Sequence, residues 1–277
     1  MRFIILLVLF NVNISSKFAQ NGITTPDIIP KMLSSIESAK TLKYTLKNSE
    51  RIDGKILSGI QDVKFNASPK KCYLYMMSPS KGAEVLFVEG QNDNKAMYDP
   101  NGFPYFKLNL DPLGFLMRRK NHHTIYEVGL GYMGEIIGHV FYANKQWLSY
   151  NGISKWKNND CYKIIFDNPE FKYIPYIVKE NENIISIARK FYLSEYMIVE
   201  INKDVDDYDD VKPNQKILIP NTYAKYMELY VDQKTYLPVF MKIIDDKGLY
   251  EQYEYTDFVV NSRIPDEEFT EKFLDKN

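Results

Sequence analysis

The sequence predicts an α+β protein built on a large antiparallel sheet, interrupted mid-chain by helices and later by a small βααβ unit. Three observations lead there. Short runs rich in Tyr, Phe, Val and Ile recur at hairpin spacing over residues 42–108 and 226–258, separated by Pro, Gly, Asn or Asp. No helical period lies between consecutive runs, so the strands pair antiparallel. Helical periodicity surfaces only at 27–39, 111–120, 123–144 and within 176–220.

The elements follow in order. Ile28, Ile29, Met32, Leu33 and Ile36 give 27–39 an apolar face. Leu42, Tyr44 and Leu46 alternate with Lys43, Thr45 and Lys47, as in a half-buried strand. Asp53-Gly54 is a hairpin turn signal. Strands are expected at 56–65, 72–77, 83–88, 95–98 and 103–108. The pattern then turns helical, although Gly129, Gly131, Gly134 and Gly138 lower the propensity of 123–144 and suit close packing against a sheet. Strands resume at 147–150 and 161–166 around an Asn151-Gly152 turn. After the βααβ unit come strands at 226–231, 237–244 and 249–258, then an edge segment with a helical turn at 264–273.

The βααβ unit is the most legible stretch. Ile184, Ile187, Ala188 and Phe191 share one helical face; Met197, Ile198 and Ile201 form a second that ends at Asn202. Ile217 and Ile219 point to one side of a closing strand. Tyr176-Ile177-Val178, the run from Asn181 to Ala188, Phe191, Asn202 and the run from Val211 to Pro220 together resemble a LysM domain. Two family glycine positions are Asn here, Asn181 and Asn214, and Asn tolerates positive φ better than most residues. The resemblance implies binding of N-acetylglucosamine-containing glycan, most naturally peptidoglycan, in a shallow groove between two loops. Asn181, Glu182, Asn183 and Ile184 form one loop; Asp210, Val211, Lys212 and Pro213 form the other. The alternative is a LysM retained as a folded spacer. A single module binds weakly, which suits tethering better than capture.

The flanking segments also carry a resemblance. Residues 47–50, Asp53-Gly54, residues 78–87, Leu110-Asp111-Pro112, His122-His123-Thr124-Ile125, Gly129, Pro238-Val239, Tyr253-Glu254-Tyr255 and 266–269 resemble an exported bacterial family, domain of unknown function 1571. That family resembles the LolA/LolB carriers. The resemblance implies a curved antiparallel sheet, an incomplete β-barrel with helices on its concave side and an apolar cavity able to take a lipid or lipoprotein acyl chain. The aromatic strands could equally be ordinary core. The expected division is 1–20 signal peptide, 21–172 first part of the half-barrel, 173–221 inserted LysM and 222–277 last part.

Met1-Arg2 followed by an apolar run to Phe10 matches a secretory signal and is too short to span a bilayer. Cleavage after Gln20 is expected, giving an exported protein of the periplasm or cell envelope with no transmembrane segment. Net charge is −1, from 35 basic and 36 acidic residues in mixed order, so no basic stripe marks a nucleic-acid partner. Cys72 and Cys161 could pair or stay as buried thiols. His122-His123 beside Arg118-Arg119-Lys120 could suggest a phosphate or metal site but reads first as a polar helix start, and no ligand spacing suggests zinc or a cofactor. Asp206-Asp207 and Asp209-Asp210 read as solvated loop charge; Glu84 and Glu127 cannot be placed as a carboxylate pair. No catalytic residues are expected, and the protein reads as non-enzymatic.

Overall fold

A computed structural model describes residues 24–274; the apolar N-terminal run and the expected cleavage position lie outside them. α1 (Thr25–Ser38) opens with a capping box between Thr24 and Asp27 and buries Ile28, Ile29, Met32 and Ile36. β1 (Thr41–Ile52) and β2 (Lys55–Ala67) pair without a break from Thr41↔Asn66 to Ile52↔Lys55. Their turn, Asp53-Gly54, takes positive φ at both residues, as a tight hairpin requires. β3 (Lys70–Ser78), β4 (Glu84–Val88), β5 (Ala96–Asp99) and β6 (Leu108–Leu110) complete the first meander.

α2 (Phe115–Arg118) and α3 (Gly131–Ala143) follow, then β7 (Leu148–Trp156) and β8 (Asn159–Asp167). The inserted unit comprises β9 (Tyr173–Ile177), α4 (Ile184–Phe191), α5 (Glu195–Ile201) and β10 (Lys216–Pro220). β11 (Tyr226–Asp232), β12 (Pro238–Asp245) and β13 (Gly248–Val260) return to the large sheet, and α6 (Glu271–Leu274) ends the described chain.

Eleven strands form one open antiparallel sheet in the order β6-β5-β4-β3-β2-β1-β13-β12-β11-β8-β7. The β1–β13 pairing closes the two chain halves into one sheet, and β6 and β7 are its free edges. β8 pairs directly with β11, Asp167 opposite Tyr226, so the inserted unit occupies what is otherwise a hairpin connection. β9 and β10 form a separate two-stranded sheet. α1 and α3 pack together with the inner residues of β1, β2, β3 and β11–β13 in the main core. On the other face, Phe269 and Leu274 of the tail cover Tyr73, Leu86 and Val88.

The open antiparallel sheet with helices against one face is the fold class expected, but several local expectations are corrected. Residues 103–107 are not strand: only Leu108–Leu110 pairs with β5, and Asn101 and Tyr105 adopt φ of 49° and 56°. The helix expected at 111–120 shrinks to the single turn of α2. The one expected at 123–144 breaks at Gly129 (φ +102°), where a Cβ would meet the Phe65 ring at 3.0 Å. Gly134 and Gly138 permit close packing against Leu33 and Ile36 of α1 rather than against the sheet. Asn151-Gly152 is no turn but a bulge inside β7, between Tyr150 and Ile153. The helical turn expected within 264–273 is present as a 3₁₀ turn at Asp266–Phe269, followed by α6.

Cys72 and Cys161 are both buried free thiols. Burial pushes the first up to about 12 and the second up to about 11, far from thiolate chemistry at neutral pH.

Candidate functional site

A cavity of about 790 Å³ opens between the sheet and the segment that carries α2 and α3. Leu46, Val63, Leu74 and Met76 line it from the sheet, and Met117, Val128, Met133 and Ile136 from the helical side. It meets solvent where the exposed residues Ile56, Leu57, Leu116, Arg119 and Lys120 form its rim. Glu50, His123, Glu127 and Tyr253 add polar groups to the lining, Glu50 directly across the β1–β2 pair from Leu57 at the rim. These groups are already engaged. Glu50 accepts from the His122 backbone N–H at 2.8 Å and the Tyr253 hydroxyl at 2.7 Å. Glu127 accepts from Thr124 N–H at 2.9 Å, faces His123 Nδ1 at 3.0 Å and pairs with Arg189. The cavity therefore offers an apolar wall together with a cluster of hydrogen-bonding groups near its mouth.

In the inserted unit, Val178, Ile184, Ile187, Ala188, Leu193, Ile198, Val205, Ile217 and Ile219 form an independent core. Asn183 caps α4, accepting from Ser186 N–H at 2.8 Å, and its amide donates to Asp209 at 2.6 Å. Ile184 N–H donates to the Tyr208 carbonyl at 2.9 Å. The two sequence-expected glycan loops are thus tied side by side. Asn181 and Asn214 take φ of 62° and 70°, so asparagine supports both turns that glycine usually makes. The eight expected residues divide by surroundings. Asn181, Asp210, Lys212 and Pro213 are exposed. Val211 packs against the unit's core, and the Ile184 side chain is fully buried in it. Glu182 serves the turn itself: despite partial desolvation, Lys190, the Tyr176 hydroxyl and the Lys179 N–H hold its carboxyl down to about 2.

The unit does not hang free. α5 lies on the sheet, with Met197 inside the main core. Arg51 at the end of β1 grips both Glu200 oxygens at 2.9 Å and Asp245 Oδ1 at 2.9 Å. Arg118 pairs with Glu195, and its guanidinium lies 3.3 Å from the Tyr208 ring centroid. Arg189 reaches back to Glu127 and stands 3.1 Å from Glu195. Ser194 Oγ meets the Tyr250 hydroxyl at 2.5 Å, and the Asp53 backbone N–H donates to the Tyr196 hydroxyl at 2.8 Å. Behind this seam the His122 ring is sandwiched between Tyr196 and Tyr250, at 4.7 and 4.3 Å. Its two nitrogens each face an oxygen, the Glu251 carboxylate at 2.8 Å and the Arg51 carbonyl at 2.9 Å.

Comparison with family models decides what the inserted unit is. Residues 176–220 match the LysM domain. The chain carries a LysM domain. Residues 39–151 match a family described as a protein of unknown function (DUF1571). Curated proteins give no match. Solved structures resembling the chain include the lipoprotein LppX of Mycobacterium tuberculosis, at 13% identity and TM-score 0.43, covering 87% of this chain and 98% of that one. A LolA superfamily protein from Nitrosomonas europaea has 10% identity and TM-score 0.35, covering 91% and 99%. A DUF1329 family protein from Desulfovibrio piger has 8% identity and TM-score 0.37, covering 90% and 96%.

What the sequence did not reveal is the ionic seam between the LysM domain and the sheet. His122 is no polar helix start but a buried ring at the centre of that seam. Glu251, fully buried, gathers His122, His123 at 3.5 Å and the hydroxyls of Tyr223 and Tyr253 at 2.8 and 3.2 Å. Among the described residues, no group of three His, Cys, Asp or Glu is arranged to hold a metal ion.

The seam makes stability depend on pH in a definite sense. Burial disfavours charge on His123, but Glu251, then Glu50 and Glu195, outweigh it and raise the imidazole above its usual 6.5. Burial likewise opposes charge on Glu251, and the two histidines reverse it, holding the carboxyl far below its usual 4.5. The histidine contribution is complete below pH 6.5 and is lost as pH rises through the higher folded value. The Glu251 contribution is present above pH 4.5 and is lost as pH falls towards the lower folded value. Thermal melts across this range are therefore expected to peak between those limits. In Glu251→Gln the peak flattens; an unchanged profile contradicts the assignment.

Proposed function

We propose that this is an exported, non-enzymatic cell-envelope protein whose LysM domain binds N-acetylglucosamine-containing glycan, peptidoglycan above all, and tethers the half-barrel to it. The observation that carries this reading is the LysM match over a complete βααβ unit whose two loops are held together, with Asn181, Asp210, Lys212 and Pro213 open to solvent. Backbone groups of the two loops hydrogen-bond the N-acetyl moieties, and exposed apolar surface such as Pro213 packs on the sugar faces. The side chains of Glu182, Asn183 and Ile184 shape the groove from within. The segment 173–221 is thus one functional unit, set between host segments 21–172 and 222–277. Calorimetric titration with N-acetylglucosamine oligomers tests the reading: weak, saturable heat is expected with these and none with cellulose oligomers. Equal heats from both contradict it.

The cavity favours a second role alongside the first. Its apolar wall and the polar groups near its mouth suit an acyl chain with a hydrogen-bonding head group, so the half-barrel acts as a carrier or sensor of a lipid or lipoprotein chain. Glu50 and Glu127 both reach the wall, yet each is occupied by partners within the protein, which supports binding rather than glycoside cleavage. Filling the cavity with Met76→Trp should weaken binding of a fluorescent long-chain fatty acid about tenfold, roughly the burial of two methylenes. Unaltered affinity in that variant places the fatty acid elsewhere.

A further inference from the structure

We propose that the aromatic loop around β6 docks the protein on an anionic lipid bilayer. Phe103, Tyr105 and Phe106 precede β6, and Phe115 and Leu116 follow it; they are 86%, 84%, 61%, 62% and 67% exposed. Isolated exposed apolar residues need no explanation, but here five large ones gather at the two ends of a three-residue strand on a free sheet edge, with the Phe103 and Tyr105 rings 6.2 Å apart. Their chemistry selects the occupant. Phe, Tyr and Leu bordered by cations is the composition that sits at a membrane–water interface, where rings enter the acyl boundary and cations meet phosphates.

The charge around the patch fits that surface. Arg119 stands over the Phe115 ring at 5.7 Å, and Lys120 and Lys81 are exposed. The Asn101 amide, 3.5 Å from the Lys81 carbonyl, brings the Lys81 turn against the aromatic loop. Lys107 pairs with Glu271 at 3.5 Å. The two carboxylates at the ends of this segment each accept a backbone N–H, Asp99 from Asn101 and the exposed Asp111 from Leu113. Leu116, Arg119 and Lys120 belong both to the patch and to the cavity rim, so a docked protein opens its cavity at the lipid surface. That last step rests on the acyl-chain reading of the cavity; docking itself does not.

The test is flotation of residues 21–277 with vesicles of phosphatidylcholine alone and of phosphatidylcholine with phosphatidylglycerol. The protein is expected to float with the anionic vesicles and much less with the neutral ones. Combining Phe103→Ser, Tyr105→Ser and Phe106→Ser should reduce flotation at least about tenfold, since each ring loses its apolar burial. Arg119→Glu should cost about fivefold, on anionic vesicles only. Because these side chains are exposed, an unchanged melting curve separates lost docking from lost folding. Failure of the wild type to float, or undiminished flotation of the triple variant, overturns the proposal. So does a wild-type dimer that the triple variant converts to monomer, since a second copy then covers the patch. Fatty-acid binding that survives in a non-floating triple variant leaves the cavity reading intact and separates the two sites.

Discussion

Arg51→Ala is expected to destabilise the protein by about 3–5 kcal/mol, the cost of removing one partner from a buried ion pair. Arg51 is 5% exposed and Asp245 2%, so water cannot replace the lost guanidinium without opening the seam. Glu200 loses a bidentate partner and keeps Lys247, at 3.3 Å. Desolvation works against the Glu200 charge, and Arg51 is what holds its carboxyl below the usual value. Chemical denaturation of the variant and the wild type measures the difference. A loss under about 1 kcal/mol, the range of exposed pairs, contradicts the burial of this contact. Arg51→Lys should fall between the two, because an ammonium cannot span both carboxylates in the forked geometry.

Excising 176–220 and joining the ends is expected to cost the sheet about 3–6 kcal/mol, from unburying Met197 and Tyr196 at roughly 1.5–3 kcal/mol each. The excision also exposes His122 and Tyr250 and strips Arg118 of both Glu195 and Tyr208. Closing the gap returns little entropy, because β9 and β10 already hold the ends of the insertion together. Thermal melting of the excised protein against the intact chain checks this. Equal stability shows that the LysM domain is a passive guest on the sheet. A large loss also means that excision confounds any binding assay, since a partly unfolded host can adhere to insoluble material.

How much was legible in the sequence follows from how local each signal is. The LysM unit reads directly, because its apolar faces, caps and closing strand all lie within 45 consecutive residues. The first hairpin reads equally well, since Asp53-Gly54 announces its own turn. The aromatic run at 103–108 misleads: its alternation resembles a half-buried strand, but Leu108–Leu110 alone finds a partner and the rings stay in solvent. Gly129 breaks a helical pattern for a reason supplied by Phe65, more than sixty residues earlier. The seam is the least legible part. Arg51 and Glu200 are 149 positions apart and His122 and Glu251 129, and no local pattern distinguishes them from surface charge.

The central claim is that the two tied loops of the LysM domain hold peptidoglycan while the seam keeps the domain fixed to the half-barrel. Co-sedimentation with purified insoluble peptidoglycan tests it most directly, comparing the intact protein with the double variant Asp210→Trp, Lys212→Trp. Both positions are exposed and lie outside the seam, so the variant should fold as the wild type does. The account predicts that the wild type pellets with the glycan and that the double variant, its groove filled by indole rings, stays in the supernatant. A wild type that remains in solution, or a variant that pellets as well as the wild type, contradicts it.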